Sequence, residues 1–483
     1  MDNLAETETT LKEIEEELTA WLPDLLYTGK SFESGLALVC ASGGQIKSFV
    51  REEELNDFAG GVVHLQGRAL LPGLVNAHSH AFQRVIRGRT ERRTSRSADS
   101  FWTWREMMYS AATRLSPEDI YDASRMAFLE MALGGITAVG EFHYIHRTPE
   151  GEEYADANEI AKEVVRAAQD VGLRIALLRV AYARSGFQTE PNARQLRFIE
   201  AEPEVYLKHI ESLISELEKM ADVGAWAGVA PHSVRAVPLD YLRQVVGFAG
   251  ERKLPVHMHV AEQPAEVKAC MEEHGRTPVA LLDAEGLLGE RFTAVHGIHV
   301  TAEEARALSR AKSFVCACPT TERNLGDGIV PADLLFKEGV RISLGTDSHA
   351  QIDLLEDARE LEYHMRLKKL ERVVLADTEE TGDSSLAARL FDCATLGGAL
   401  SIGASSGKLE QGRPADFFTV ALDDPSIAGA SPDDLLASIV FSSTRAAVRE
   451  VFVGGKQIVE DGQHLLQQEI VQRFNALQKR LWE

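Results

Sequence analysis

Between roughly residues 70 and 400 the chain repeats one alternation eight times, a short β-rich apolar run followed by a longer stretch of helical character. The runs are Leu71–Ala77, Ile136–Phe142, Leu173–Ala181, Trp226–Pro231, Pro255–Val260, Phe292–Gly297, Ser313–Cys318 and Arg341–Thr346. Such alternation predicts βα units around a parallel sheet, hence an α/β protein. Eight units fit a (β/α)₈ TIM-type barrel better than an open doubly wound sheet, and no Gly-x-Gly-x-x-Gly turn follows any run.

The two ends of the chain read differently. Leu36–Cys40, Ile46–Val50 and Val62–Leu65 near the start, and Asp416–Ala421 and Val451–Val459 near the end, are short and β-like, and Gly454-Gly455 suits a two-residue hairpin turn. The expected organisation is a discontinuous small β domain (1–70 plus 404–465) with the barrel (71–403) inserted and a C-terminal helix (466–483). Leu11, Ile14, Leu18 and Trp21 have helical spacing, which predicts a solvated lead-in helix over Thr10–Trp21.

With 51 Lys and Arg against 74 Asp and Glu, the 483-residue chain carries a net charge of −23. That field repels a phosphate backbone and excludes nucleic acid as an expected partner, although it leaves room for a local cationic pocket that holds a small anion. No apolar run reaches the ~18 residues that span a bilayer, so no membrane partner is expected. The first residues lack a basic segment followed by an apolar one, so a cytoplasmic protein is expected. The five cysteines are odd in number and scattered, unlike a disulfide framework. Cys316-Ala-Cys318 lies in an apolar run and reads as strand packing before metal or redox chemistry.

Chemistry-bearing residues gather where the predicted strands end, which is where barrels of this kind build their sites. The first run leads into His78-Ser-His80, the second into Glu141-Phe-His143-Tyr144, and the fourth into His232-Ser-Val-Arg235. The fifth contains His257 and His259 and passes to Glu262, the sixth ends at His296, and the eighth at Asp347-Ser-His349. A single histidine in such a place is more often a hydrogen-bonded structural residue; several converging with an aspartate are not. Residues i and i+2 of an extended segment share a face, so His78 and His80 can present two imidazoles to one ion. A third histidine and a carboxylate complete a nitrogen and oxygen site suited to Zn²⁺ or Fe²⁺ with a position left for water, and hydrolysis is the chemistry this suggests.

The segments Leu71-Pro-Gly-Leu-Val-Asn-Ala-His78-Ser-His80, His259-Val-Ala-Glu262, Val295-His296-Gly297 and Gly345-Thr-Asp347-Ser resemble the amidohydrolase superfamily, in its metal-dependent deaminase branch. The resemblance implies a distorted barrel, one divalent metal per chain, taken as Zn²⁺ by analogy, a small β-sandwich from both chain ends, and a homodimer. Within that branch, His80-Ala-Phe-Gln83-Arg84, Phe101-Trp-Thr-Trp-Arg105-Glu, His232-Ser-Val-Arg235 and Cys318-Pro-Thr-Thr-Glu-Arg-Asn-Leu-Gly-Asp327 are most similar to the formimidoylglutamate deiminases of histidine degradation. The implied reaction is N-formimidoyl-L-glutamate plus water giving N-formyl-L-glutamate plus ammonia. Arg323 stands where the family pattern has a small residue, which puts the contacts of that loop in question.

Carried over by motif, His78, His80, His259 and Asp347 are the implied metal ligands, and Glu262, His296 and Asp347 the implied proton-handling residues. A substrate with two carboxylates favours a planar cation, for which Arg235 is the candidate; the resemblance adds His232, Tyr144 and Gln83. His257 shares a face with His259, and only the motif match excludes it as a ligand. Trp102 and Trp104 fit either a pocket wall or plain packing, and His143, His146, His299 and His349 read as structural or supporting residues. Two other readings stay open: a deaminase of the same branch acting on a nucleobase or guanidino compound, and a non-catalytic barrel scaffold.

Overall fold

The computed structural model describes residues 17–93, 101–187, 189, 193–220, 224–376 and 385–483. All eight barrel strands are present, as Leu74–Ser79, Ile136–His143, Arg174–Ala181, Ala225–Pro231, Val256–Val260, Phe292–His296, Phe314–Ala317 and Arg341–Leu344. They form one parallel sheet in chain order. Their cores are buried on both faces, as the near-continuous apolar runs require. The first strand meets the segment just after the eighth through a parallel bridge between Ser79 and Asp347, so the sheet is nearly closed.

Helices between the strands start where the sequence supplies caps. Ser116 and Asp119 form a reciprocal capping box ahead of Pro117–Leu133, with proline in the first turn. Thr301 and Glu304 do the same for Ala302–Arg310. The C-terminal helix Gln467–Trp482 lies on Pro117–Leu133, tied by Arg125 to Glu469 and by Arg473 to Asp122.

The chain ends build a second sheet. Its strands run Gln463–His464, Lys456–Glu460, Val448–Val453, Phe417–Ala421, Gly61–Pro72, Leu18–Tyr27, Leu36–Ala41 and Ile46–Arg51, with Phe32–Glu33 paired to Leu18–Tyr27. It is antiparallel except between Leu18–Tyr27 and Gly61–Pro72. Gly454 and Gly455 both have positive φ and turn the hairpin that pairs Val453 with Lys456. The sheet curls over, since Ala415 N donates to Gly44 O at 2.9 Å, and Trp21, Phe417 and Phe452 pack together inside the curl.

Two expectations need correction. The lead-in helix is not formed over Leu18–Trp21, which belongs to a strand held on both sides by neighbours; the rest of that segment, up to residue 16, lies outside the described residues. Two flanking strands satisfy this backbone and override a helical spacing of apolar residues. The first barrel strand also begins at Leu74, because Leu71 and Pro72 belong to the other sheet. The chain crosses at Gly73, whose N–H donates to Asp416 O and where any Cβ would stand 2.3 Å from Thr137 Oγ1.

Candidate active site

His78, His80, His259 and Asp347 come together at the C-terminal mouth of the barrel, all buried, each offering one ligand atom within 4.8 Å of the others. His78 Nε2 and His80 Nε2 stand 3.3 and 3.2 Å from Asp347 Oδ1, and His259 Nε2 is 3.2 Å from His78 Nε2. The donors fit a divalent ion, and the far side of each ring shows why. His80 Nδ1 bonds the carbonyl of Phe142 at 2.9 Å and His259 Nδ1 that of His232 at 3.1 Å. A carbonyl only accepts, so both Nδ1 atoms carry hydrogen. Burial holds His78 and His259 below the ordinary imidazole range, so these rings are neutral. His259, neutral with its hydrogen on Nδ1, therefore turns a bare Nε2 lone pair toward His78 Nε2 in a group that also holds His80 and Asp347, a gathering of donors that a cation among them makes favourable.

His257 points one layer lower. It lies two residues back along its strand, roughly 7 Å, and its Nε2 bonds Ser401 O at 2.9 Å on the helix Leu396–Ile402. Below the ligand group, Ser79 Oγ donates to Glu141 at 2.5 Å and lies 3.1 Å from His349 Nε2, while Ala81 N donates to the other Glu141 oxygen. Burial pushes the Glu141 carboxyl up to about 7. His349 thus sits beneath the cluster as a supporting residue.

Glu262 and His296 stand beside the cluster. His296 Nε2 is 3.7 Å from Glu262 Oε1 and 4.0 Å from Asp347 Oδ2. Burial opposes protonation of His296, but the charge of Glu262, the Glu322 hydrogen bond and the charge of Asp347 outweigh it and raise the ring well above the usual range. Asp347 shows the converse: burial would raise it, yet the adjacent His78 and His80 rings and the charge of His296 hold it well below the usual carboxylate range. Asp347 and His296 both have positive φ, a backbone strain that residues at working sites commonly carry.

A cleft rises from the cluster. Gln83, Tyr144, His232, Arg235, Glu262, His296 and Asp347 all line it, so the structure brings the expected proton-handling and substrate-facing residues to one cavity. Gln83 Nε2 donates to Tyr144 Oη at 2.9 Å. Arg235 is buried, and its Nη1 has no hydrogen-bond partner among the described residues. Trp104 lines the cleft and Trp102 does not. Arg323, in the short helix Pro319–Leu325, turns away and pairs at 2.7 Å with Glu360 on the helix Leu354–Lys369, so it does not line the cleft.

Sequence reasoning missed two residues. Arg105, on the helix Phe101–Ala112, brings a second guanidinium to the cleft. The signal was its place in the Phe101-Trp-Thr-Trp-Arg105-Glu segment, but it follows no strand. Glu322 is buried behind His296, with Oε1 3.4 Å from Nδ1 and accepting from Cys318 N at 2.8 Å. Cys318, read as packing, lies within ligand reach of that pair.

Comparison with known proteins agrees with this geometry. The model of the amidohydrolase family matches residues 69–458. The formimidoylglutamate deiminase of Pseudomonas aeruginosa is 39% identical over 399 residues, 82% of this chain and 86% of its own. A 5-methylthioadenosine/S-adenosylhomocysteine deaminase of Halobacterium salinarum is 30% identical, over 86% of this chain and 87% of its own. The crystal structure of an amidohydrolase from Brucella melitensis superposes with a TM-score of 0.86 at 34% identity, covering 97% of this chain and all of that one. An adenosine deaminase from Xanthomonas campestris, solved with bound zinc, shares the fold at a TM-score of 0.80 and 22% identity, over 96% of this chain and 98% of its own. Zinc-bound neighbours and the buried His, His, His, Asp group together suggest a divalent metal here.

Proposed function

The chain belongs to the amidohydrolase family, and we propose that it deaminates N-formimidoyl-L-glutamate, hydrolysing the amidine to N-formyl-L-glutamate and ammonia as a step in histidine degradation. The observation that carries this reading is the pair of guanidiniums, Arg235 and Arg105, in one cleft beside the ligand cluster. Two carboxylates on a linear substrate match two planar cations, and an uncharged ring leaves both without counter-ions. The 39% identical deiminase supports the same substrate, whereas the nucleoside deaminases are 30% identical or less.

His78, His80, His259 and Asp347 hold the metal, which we take to be one Zn²⁺ per chain, since the set of three imidazoles and one carboxylate suits it. Bound there, such an ion supplies Lewis acidity and makes attack by water accessible near neutral pH. Asp347 takes the proton released by the attacking water. Glu262 bonds the formimidoyl nitrogens, steadies the amidinium and later passes a proton to the departing ammonia. His296, charged between its carboxylates, holds the nucleophile and stabilises charge on the oxygen attached to the tetrahedral carbon. Arg235, with His232 and Tyr144, grips the glutamate end, and Gln83 orients Tyr144. Water adds across the C=N bond and the C–N bond to ammonia breaks, so atoms and protons balance.

Incubating zinc-loaded protein with N-formimidoyl-L-glutamate and identifying the products by NMR tests the proposal. One ammonia and one N-formylglutamate per substrate are expected. Recovery of unchanged substrate from protein shown to hold zinc contradicts it.

A further inference from the structure

Glu262 follows the fifth barrel strand, Val256–Val260, and the chain is clamped on both sides of the turn that carries it. Ala261 is fully buried with φ +53°, a left-handed conformation that a residue with a Cβ adopts only where its surroundings impose it. Its carbonyl accepts from His299 N at 3.0 Å. On the other side, the amide of Glu262 donates to Glu266 Oε2 at 3.2 Å, its one acceptor among the described residues. A buried N–H without an acceptor is costly, so this carboxylate holds the turn in place.

The reach of Glu266 departs from the usual pattern at a helix start. Glu266 is the third residue of the helix Pro264–His274, whose N-cap is Gln263. In a capping box, a glutamate at this position returns to the amide of the N-cap itself. Here it returns one residue further, to Glu262, while its own amide donates to Gln263 O at 3.0 Å. Glu266 is 2% exposed and does not line the cleft, so it acts through other residues. Burial pushes its carboxyl up, and the charge of Arg235 opposes that. Two roles are therefore open to the group. As acceptor for the Glu262 amide it needs reach; as counter-ion for Arg235 it needs charge. The bond to Glu262 favours the first, since Arg235 donates from Nε to Ser233 Oγ at 3.4 Å and its Nη1 has no partner among the described residues.

We propose that Glu266 is the positioning residue of Glu262: its carboxylate fixes the peptide that carries the acid-base side chain, and it works by reach and not by charge. The catalytic part of this rests on the role given to Glu262 above; the clamp itself does not.

Two mild variants separate reach from charge. Glu266→Asp keeps the charge and withdraws the oxygens by one methylene, whereas Glu266→Gln keeps the reach and drops the charge. With zinc-loaded protein and N-formimidoyl-L-glutamate, Glu266→Asp is expected to lower kcat about tenfold, the scale of one buried hydrogen bond, with KM and zinc content unchanged. Glu266→Gln is expected to match wild type. The opposite order, a raised KM in Glu266→Gln and no effect in Glu266→Asp, makes the group a counter-ion and overturns the proposal. In a Glu262→Gln background, Glu266→Asp is expected to lower kcat no further, because the side chain it positions is already lost. An undiminished loss there marks a general structural role and overturns it too. Hydrogen exchange needs no substrate: the Glu262 amide is expected to exchange about tenfold faster in Glu266→Asp than in wild type, and at the wild-type rate in Glu266→Gln. Equal rates in all three overturn the clamp. If Glu262→Gln alone leaves kcat unchanged, the acid-base reading of Glu262 falls, and the exchange rates decide the clamp by themselves.

Discussion

The main chain of Asp347 is hydrogen-bonded to that of His78, its amide donating to the His78 carbonyl at 3.0 Å, while its carboxylate lies 3.3 Å from His78 Nε2. His80 N returns a bond to Asp347 O at 3.1 Å. These bonds join the first barrel strand to the segment after the eighth, so closing the sheet and assembling the ligand cluster are one event. A ligand set drawn from both edges of a sheet exists only in the closed form.

The contact that permits this closure is Gly345. A Cβ built there stands 2.7 Å from His78 Cβ and 2.9 Å from His78 O, and backbone cannot swing aside as a flexible side chain can. Gly345→Ala is expected to push the two edges apart, lower stability by about 1–3 kcal/mol and cut bound zinc well below one per chain. Urea unfolding and elemental analysis check both, and full zinc occupancy in the variant contradicts the coupling.

Removing either guanidinium tests the two-cation reading. Arg235→Met and Arg105→Met are each expected to raise KM by about 10- to 100-fold, the scale of charge-assisted hydrogen bonds. Steady-state ammonia release measures this. A KM unchanged in one variant removes that arginine from substrate binding.

Glu262 lines the cleft outside the four-residue ligand group. Glu262→Gln is expected to lower kcat by about 10²- to 10⁴-fold, the usual range for a lost acid-base group, with zinc content unchanged. Zinc loss as the main effect makes it a ligand instead.

Asp327 gives a pH signature. It is buried, accepts from Gln263 Nε2, and burial, aided by the charge of Glu262, pushes its carboxyl up to about 8. The fold favours its neutral form, so its contribution is fully present below the ordinary carboxylate range near 4 and is lost as pH rises through about 8. Asp327→Asn cannot ionise and should therefore gain on wild type across that window, by up to about 1.4 kcal/mol per pH unit. Urea midpoints at pH 5 and pH 8.5 measure it; a constant offset between the two proteins contradicts the shift.

Much of this was legible in the chain because the barrel writes itself twice, as buried apolar runs and as polar residues at their ends. His78, His80, His259, His296 and Asp347 all follow from that pattern. Arg105 does not, since a helix carries it and its place in the cleft depends on neighbours such as Tyr182, 77 residues away in sequence. Leu18–Trp21 misled for a related reason: apolar spacing describes one segment, whereas the two strands flanking it come from elsewhere in the chain. His257 shows the limit of the alternation rule, which gives the face but not the layer.

The most direct test is the ratio of kcat/KM for N-formimidoyl-L-glutamate to that for ring substrates, guanine and cytosine, on one preparation of zinc-loaded protein with ammonia as the readout. A ratio above about 10⁴ is predicted, since a site built to pair charged groups rejects ligands that leave them unpaired. Turnover of either ring compound faster than of the linear amidine would contradict it.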